Sequence, residues 1–302
     1  MPRTFVKYRS LWIMVLPGLI YLLINNYLPM FGTIIAFKDF NYTDGLWGSG
    51  WAGFKNFQFL FTTQDAYIIT RNTLLYNAVF IVFNLAVALT VALLLNEIRK
   101  RFLQNVYQSV LLLPYLISFS IVGYLVYSFL SMEYGFINSG VLKKLGLPPI
   151  SWYMEAKYWP FILVLVNAWK YIGYSSVIYL AAIAGINHEY YEAARIDGAN
   201  RWKQMTRITL PLIRPVVIVM TLLLVGRIFY ADFGLFYQVT MNTGILLPTT
   251  NVIDTYVYRA LIQTGDIGMS SAAGLFQSVV GFLLVFSVNL LIRKVDRENA
   301  LF

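Results

Sequence analysis

The chain has 302 residues, 59% of them hydrophobic and only 12% charged, with a mean hydropathy of +0.64; a soluble domain needs more charge than this to cover its surface, so the composition excludes one and points to an integral membrane protein. The absence of cysteine and the single histidine, His188, exclude disulfides, thiolate metal sites and a histidine cluster. A net charge of +9 has a topological use in such a chain, so it does not argue for nucleic-acid binding.

From the N-terminus, Arg3, Lys7 and Arg9 precede an apolar stretch from Leu11 to about Ala36. This stretch is longer than a signal core and no small-x-small cleavage site follows it, so it reads as a first, uncleaved span. Runs able to cross about 30 Å of hydrocarbon predict six transmembrane helices near residues 11–36, 73–96, 106–130, 159–184, 209–236 and 271–292. The fold class expected is an all-α integral membrane protein with a single domain over 1–302. Cations concentrate in alternate connections: Arg99, Lys100 and Arg101 in the second loop, Arg195, Arg201, Lys203 and Arg207 in the fourth, and Arg293, Lys294 and Arg297 in the tail. By the positive-inside rule both termini are then cytoplasmic. The opposite segments, 37–72, 131–158 and 237–270, are expected to be short ordered caps, with Trp47, Trp51, Trp152 and Trp159 near headgroup level.

The fourth loop, about 187–211, carries Glu192-Ala193-Ala194, then Asp197-Gly198, and finally Ile208-Thr209-Leu210-Pro211. Local physics predicts a helix from about Glu189 to Asp197, a turn at Gly198 where positive φ is cheap, and a second helix running to Pro211. Pro211 would fall in the first turn of the fifth span, where its missing N–H costs nothing.

This stretch resembles the EAA loop of binding-protein-dependent ABC importer permeases: Glu-Ala-Ala, three residues, Gly, nine residues, Ile-x-Leu-Pro. Ala231–Thr240, Val252–Leu261 and Ser271–Gly281 are similar to the LplB-like complex-polysaccharide and oligosaccharide branch of that family. The resemblance implies a type I ABC importer permease fold in a bacterial cytoplasmic (inner) membrane. It also implies partners: a second homologous permease, two copies of a cytoplasmic ABC ATPase, an extracytoplasmic sugar-binding protein and an oligosaccharide cargo. Glu192, Ala193, Ala194 and Gly198 are implied to form the coupling helix that docks on the ATPase, in a coupling loop that also includes Asp197, Ile208, Leu210 and Pro211. The chain lacks the two extra N-terminal spans and large external domain of maltose-type permeases. It has no Gly-Lys dipeptide and hence no Walker A loop. It is therefore expected to have no catalytic site and no cofactor of its own, ATP and Mg being used by the partner ATPase.

Charged groups within spans face a cavity or a partner, which singles out Lys170 and Arg227. At about 100° per residue, Asn167, Lys170, Tyr171 and Tyr174 form one stripe on the fourth span, and Gly226, Arg227, Tyr230 and Gly234 form another on the fifth. Asp232 is expected at the outer mouth. Aromatic planes beside hydrogen-bond donors suit sugars. The other reading of these residues is packing against the second permease, with each cation paired to a carboxylate there. Two intramembrane cations also admit an acidic cargo carrying uronates. Phe233, Phe236, Tyr237, Tyr256 and Tyr258 read as interfacial belt residues or as part of a dock for the binding protein. Rival readings are the same importer type with a polyol, glycerol phosphate or amino acid as cargo, a stand-alone channel, and a membrane-embedded enzyme.

Overall fold

A computed structural model describes residues 8–295; Arg3, Lys7 and Arg297, used above in the charge argument, lie outside the described residues. The structure is helical, with one two-stranded antiparallel sheet among the described residues. In chain order, α1 (Arg9–Leu22) continues through a π turn and a 3₁₀ segment to Phe37. It is followed by β1 (Lys38–Asp39) and β2 (Gly50–Trp51), then α2 (Gln64–Asn96), α3 (Arg101–Leu116) and α4 (Phe119–Leu130). The second half holds α5 (Trp159–Ala184), α6 (Glu189–Ile196), α7 (Arg201–Val225), α8 (Ile253–Arg259) and α9 (Ile267–Val295).

Five of these segments are long and apolar enough to cross a membrane, and α3 with α4, bent by 98°, makes a sixth if the pair is one span. The 106–130 run is thus broken. Pro114 lies in the last turn of α3, where it cannot donate to the helical ladder, and Ser118 starts α4 by accepting the Ile121 N–H at 3.5 Å. The 209–236 run is likewise not one helix: α7 stops at Val225, and the chain is irregular from Gly226 to Asp232 before a π segment at Leu235–Val239. Arg227, Tyr230 and Asp232 therefore sit in a break, and a helical-stripe argument does not apply to them.

The described residues divide into two compact units, 8–63 with Val257–Phe276, and Gln64–Tyr256 with 277–295. In the first, every residue from Tyr8 to Met30 is exposed. Beyond this helix, β1 and β2 pair in the register Lys38↔Trp51 and Asp39↔Gly50. The buried Lys38 ammonium donates to the carbonyls of Leu46, Trp47 and Ser49 at 2.8, 3.2 and 3.2 Å, closing the turn between the strands. Trp47 and Trp51 are well exposed, and Trp51 stacks on Phe37 at 6.0 Å.

In the second unit α2 and α5 run parallel, and two apolar clusters pack at their ends. One joins Tyr76 and Phe80 of α2 to Trp159 and Leu163 of α5, with Phe236, Leu246 and Val252. The other joins Ala88, Ala92 and Leu95 to Tyr179, Leu180, Ile183 and Ile213. Trp159 is fully buried and donates its indole N–H to the Trp152 carbonyl at 2.8 Å, so it is a core residue and not a headgroup anchor. Phe236 is likewise core, edge-on to Tyr76 at 4.8 Å. Gly173 lets α5 approach α3 closely: a Cβ there would overlap the Leu111 carbonyl.

Candidate transport path and coupling loop

Between the two apolar clusters the second unit holds an open cavity of about 630 Å³. Six of the seven expected path residues line it: Asn167, Tyr171 and Tyr174 from α5, and Arg227, Tyr230 and Asp232 from the break after α7. Tyr115, Asn77, Asn84 and Phe233 add to its polar and aromatic wall. Both breaks in the helical ladder face this space, as membrane proteins require: irregular backbone survives at depth only where other groups satisfy it or a cavity receives it.

Side chains from other elements satisfy the second break. Asn77 Nδ2 donates to the carbonyls of Ile228 (2.8 Å) and Tyr230 (3.2 Å). Gln277 Nε2 donates to the Phe229 carbonyl at 2.7 Å. Asp254 Oδ2 accepts the Ala231 N–H at 2.7 Å and the Gln277 amide at 3.3 Å. Burial holds the Asp254 carboxyl above its ordinary range, and the nearby Asp232 charge adds to this, against the lowering effect of those hydrogen bonds. Asp232 itself is fixed at both oxygens, by the Tyr171 hydroxyl at 2.5 Å and by the Leu235 N–H at 3.3 Å.

Lys170 does not line the cavity. Its buried ammonium donates to the carbonyls of Pro114, Tyr115 and Ile117 at 3.2, 3.3 and 2.5 Å, and lies 4.6 Å from the Phe119 ring centroid. Its charge is used within the chain, at the bend between α3 and α4, so the expected contact with cargo or with a partner's carboxylate is replaced by an internal one. Sequence reasoning also missed Asn77, Asn84, Asp254 and Gln277; polar residues inside or beside apolar runs were the signal available. Asn84 donates to Asn167 Oδ1 at 2.8 Å, leaving its own Oδ1 buried with no hydrogen-bond partner among the described residues.

The 187–211 loop is a bent pair of helices. The Ala199 N–H donates to the Ala194 carbonyl and the Gly198 N–H to the Arg195 carbonyl, the pairing of a Schellman end, with Gly198 at φ +75°. Asn200 caps the next helix by accepting the Lys203 N–H at 2.9 Å. Tyr191 and Thr209 share a hydroxyl hydrogen bond at 2.8 Å, Gln204 donates to the Ala199 carbonyl, and Arg201 pairs with Glu97. Glu192, Ala193, Asp197 and Gly198 are exposed, while Ala194, Ile208 and Leu210 are half-buried. Pro211 does not open a new helix, because α7 is continuous from Arg201; a π turn at Met205–Thr209 absorbs the ladder bond that proline cannot make. A second cavity, about 780 Å³, lies beside this loop, and Arg99, Arg195, Arg201 and Glu97 are in its wall.

Residues 84–297 match the family of binding-protein-dependent transport system inner membrane components. The chain belongs to this family. Among its relatives, protein LplB of Bacillus subtilis (strain 168) is 37% identical over 96% of this chain and 90% of its own length. The polygalacturonan/rhamnogalacturonan transport system permease protein YteP of the same organism is 35% identical over 97% and 91%. A crystal structure of a bacterial ABC transporter involved in the import of the acidic polysaccharide alginate contains a chain that superposes with a TM-score of 0.88. That chain is 32% identical over 97% of this chain and 98% of its own. A crystal structure of a bacterial alginate ABC transporter in complex with an alginate pentasaccharide-bound periplasmic protein matches equally, with a TM-score of 0.88 and 32% identity over 97% of each chain. Membership of this family makes the chain a multi-pass membrane permease, in agreement with the sequence reading.

Proposed function

We propose that this chain is the membrane-spanning subunit of an ATP-driven importer for oligosaccharides, acidic ones among them, in the cytoplasmic membrane of a bacterium. It has six spans and both termini in the cytoplasm, and it pairs with a second homologous permease. An external binding protein delivers cargo to the cavity. A separate ATPase, present in two copies and using ATP and Mg, drives the 187–211 loop; the permease itself has no catalytic site. The exposed Glu192, Ala193, Asp197 and Gly198 contact the ATPase, while Ala194, Ile208, Leu210 and Pro211 fix the loop's shape on the bundle. Alternating exposure of the cavity then follows from closure of the ATPase pair.

The observation that carries the cargo reading is the wall of the 630 Å³ cavity, which Arg227 lines together with Tyr115, Tyr171, Tyr174, Tyr230 and three asparagines. Aromatic faces accept the C–H faces of sugars, amides and hydroxyls serve their rims, and an arginine fork fits a uronate. The alginate importer's likeness supports the acidic choice.

The test is ATP turnover of the purified complex in nanodiscs with its binding protein, across neutral and uronate-containing oligosaccharides. Uronate oligosaccharides are expected to stimulate turnover, and Arg227→Ala to remove that stimulation while sparing the basal rate. Equal stimulation of wild type and variant by every sugar would sink the acidic reading, and no response to any oligosaccharide would sink the sugar reading.

A further inference from the structure

We infer that Lys170 is a positioning residue of the transport path, and that it acts through Tyr115. The proposal rests on the reading of the cavity as a sugar path.

The bend between α3 and α4 strips carbonyls near the end of α3 of their helical partners. Pro114 supplies no N–H, and Ile117, in extended conformation, donates back only to the Pro114 carbonyl. Each such group left bare in a dry interior costs about 1–3 kcal/mol. Lys170 meets two of them, the carbonyls of Tyr115 and Ile117, and shares the Pro114 carbonyl with the Ile117 N–H, so that its three N–H donors serve three carbonyls. Its charge also lies at the C-terminal end of α3, where the helix dipole favours a cation. With every donor engaged and the residue buried, Lys170 has nothing left to offer a cargo molecule.

One of the three carbonyls belongs to Tyr115, whose ring lies at the cavity wall. That ring stacks on Tyr174 with centroids 4.6 Å apart and planes 12° from parallel, and meets Tyr171 edge-on at 5.9 Å. Lys170 and Tyr174 are one helical turn apart on α5, so the same helix holds Tyr115 at two points, its backbone through the ammonium and its ring through the stack. Gly173, between them, allows the approach. The bend is thereby turned into a fixed aromatic plane beside the hydrogen-bonding groups of the cavity.

The experiment is cargo moved per ATP hydrolysed, measured in proteoliposomes containing the complete importer at saturating loaded binding protein. It compares wild type, Lys170→Met, Lys170→Arg, Tyr115→Leu, Tyr174→Leu and the Lys170→Met/Tyr115→Leu double variant. A defect of stability alone lowers the amount of assembled complex and leaves this ratio unchanged. Both single neutral variants are expected to lower the ratio about threefold to tenfold, the double variant no further than either single, and Lys170→Arg to recover part of the loss. If the losses of the two single variants multiply in the double, or Lys170→Met leaves the ratio at the wild-type value while Tyr115→Leu lowers it, the proposal is overturned and the sugar path stands. If Tyr115→Leu and Tyr174→Leu both leave the ratio unchanged, the sugar path itself fails. Should Lys170→Met not assemble, Lys170→Gln, which keeps two donors without the charge, carries the same cycle.

Discussion

The Tyr171 hydroxyl donates to Asp232 Oδ2 at 2.5 Å, joining the middle of α5 to the break beyond α7. Because the other Asp232 oxygen accepts the Leu235 N–H, one carboxylate both starts the following π segment and ties it to a neighbouring span. Tyr171→Phe removes a hydrogen bond to a charged group, worth about 1.5–3 kcal/mol. Asp232→Ala removes that bond and the cap together. Transport measured per assembled complex is expected to fall in both, about tenfold in Tyr171→Phe and further in Asp232→Ala; the reverse order would show that the cap contributes nothing.

Gly173 is a packing requirement. A methyl group placed there meets the Leu111 backbone, which cannot swing aside as a flexible side chain does. Gly173→Ala is expected to separate α3 from α5 and destabilise the bundle by about 1–3 kcal/mol. Thermal unfolding of the detergent-solubilised complex reads this directly. An unchanged midpoint would mean that α3 is free to shift.

At Gly198 the constraint is conformational. Nothing lies within 4 Å of a Cβ placed there, but φ is +75°. Asparagine tolerates that region far better than a β-branched residue does. Gly198→Asn is therefore expected to retain most transport, whereas Gly198→Val keeps ATP hydrolysis and loses transport several-fold. The check is a paired measurement of uptake and ATP turnover; equal behaviour of the two variants would remove the backbone explanation.

Asp254 makes a pH prediction. Its folded-state pKa is raised, chiefly by burial and further by the Asp232 charge, so over the window between the unfolded and folded values the native state holds more proton than the unfolded chain. Stability contributed by this group is then greatest below the unfolded value and declines as pH rises through the folded one. Asp254→Asn keeps an acceptor for the Ala231 N–H and removes the buried charge. It is expected to flatten that decline and to leave stability at neutral pH equal or higher, as read from unfolding midpoints across a pH series. A steeper decline in the variant would contradict the assignment.

Much of this was legible in the sequence for identifiable reasons. Hydrocarbon-length runs announce helices because a backbone in lipid has few alternatives, and the Gly198 turn follows from steric freedom that only glycine has. The cavity-lining residues on α5 were legible because Asn167, Tyr171 and Tyr174 share a face of an unbroken helix. The breaks were not legible. Pro114 and Gly226 marked where they fall, but their depth depends on Lys170, Asn77, Gln277 and Asp254, which are distant in sequence and reach the bare carbonyls and amides only after folding. Lys170 misled for the same reason, since a lone cation in a span looks the same from sequence whether it serves a ligand or its own backbone.

The two breaks have a consequence for how the chain tolerates change. Tyr115 lies in the last turn of α3, and Arg227, Tyr230 and Asp232 lie in the loop after α7, while the backbone at both places is held largely by residues on other elements. Side chains such as Arg227 and Tyr230, which face the cavity without holding a neighbouring backbone, can therefore be exchanged with little effect on the ladder of any long helix, whereas the donors and acceptors of Asn77, Lys170, Asp232, Asp254 and Gln277 have to be kept. The lining of the cavity can thus be varied at such positions on an unchanged scaffold, as long as the hydrogen-bonding partners of the two breaks stay in place.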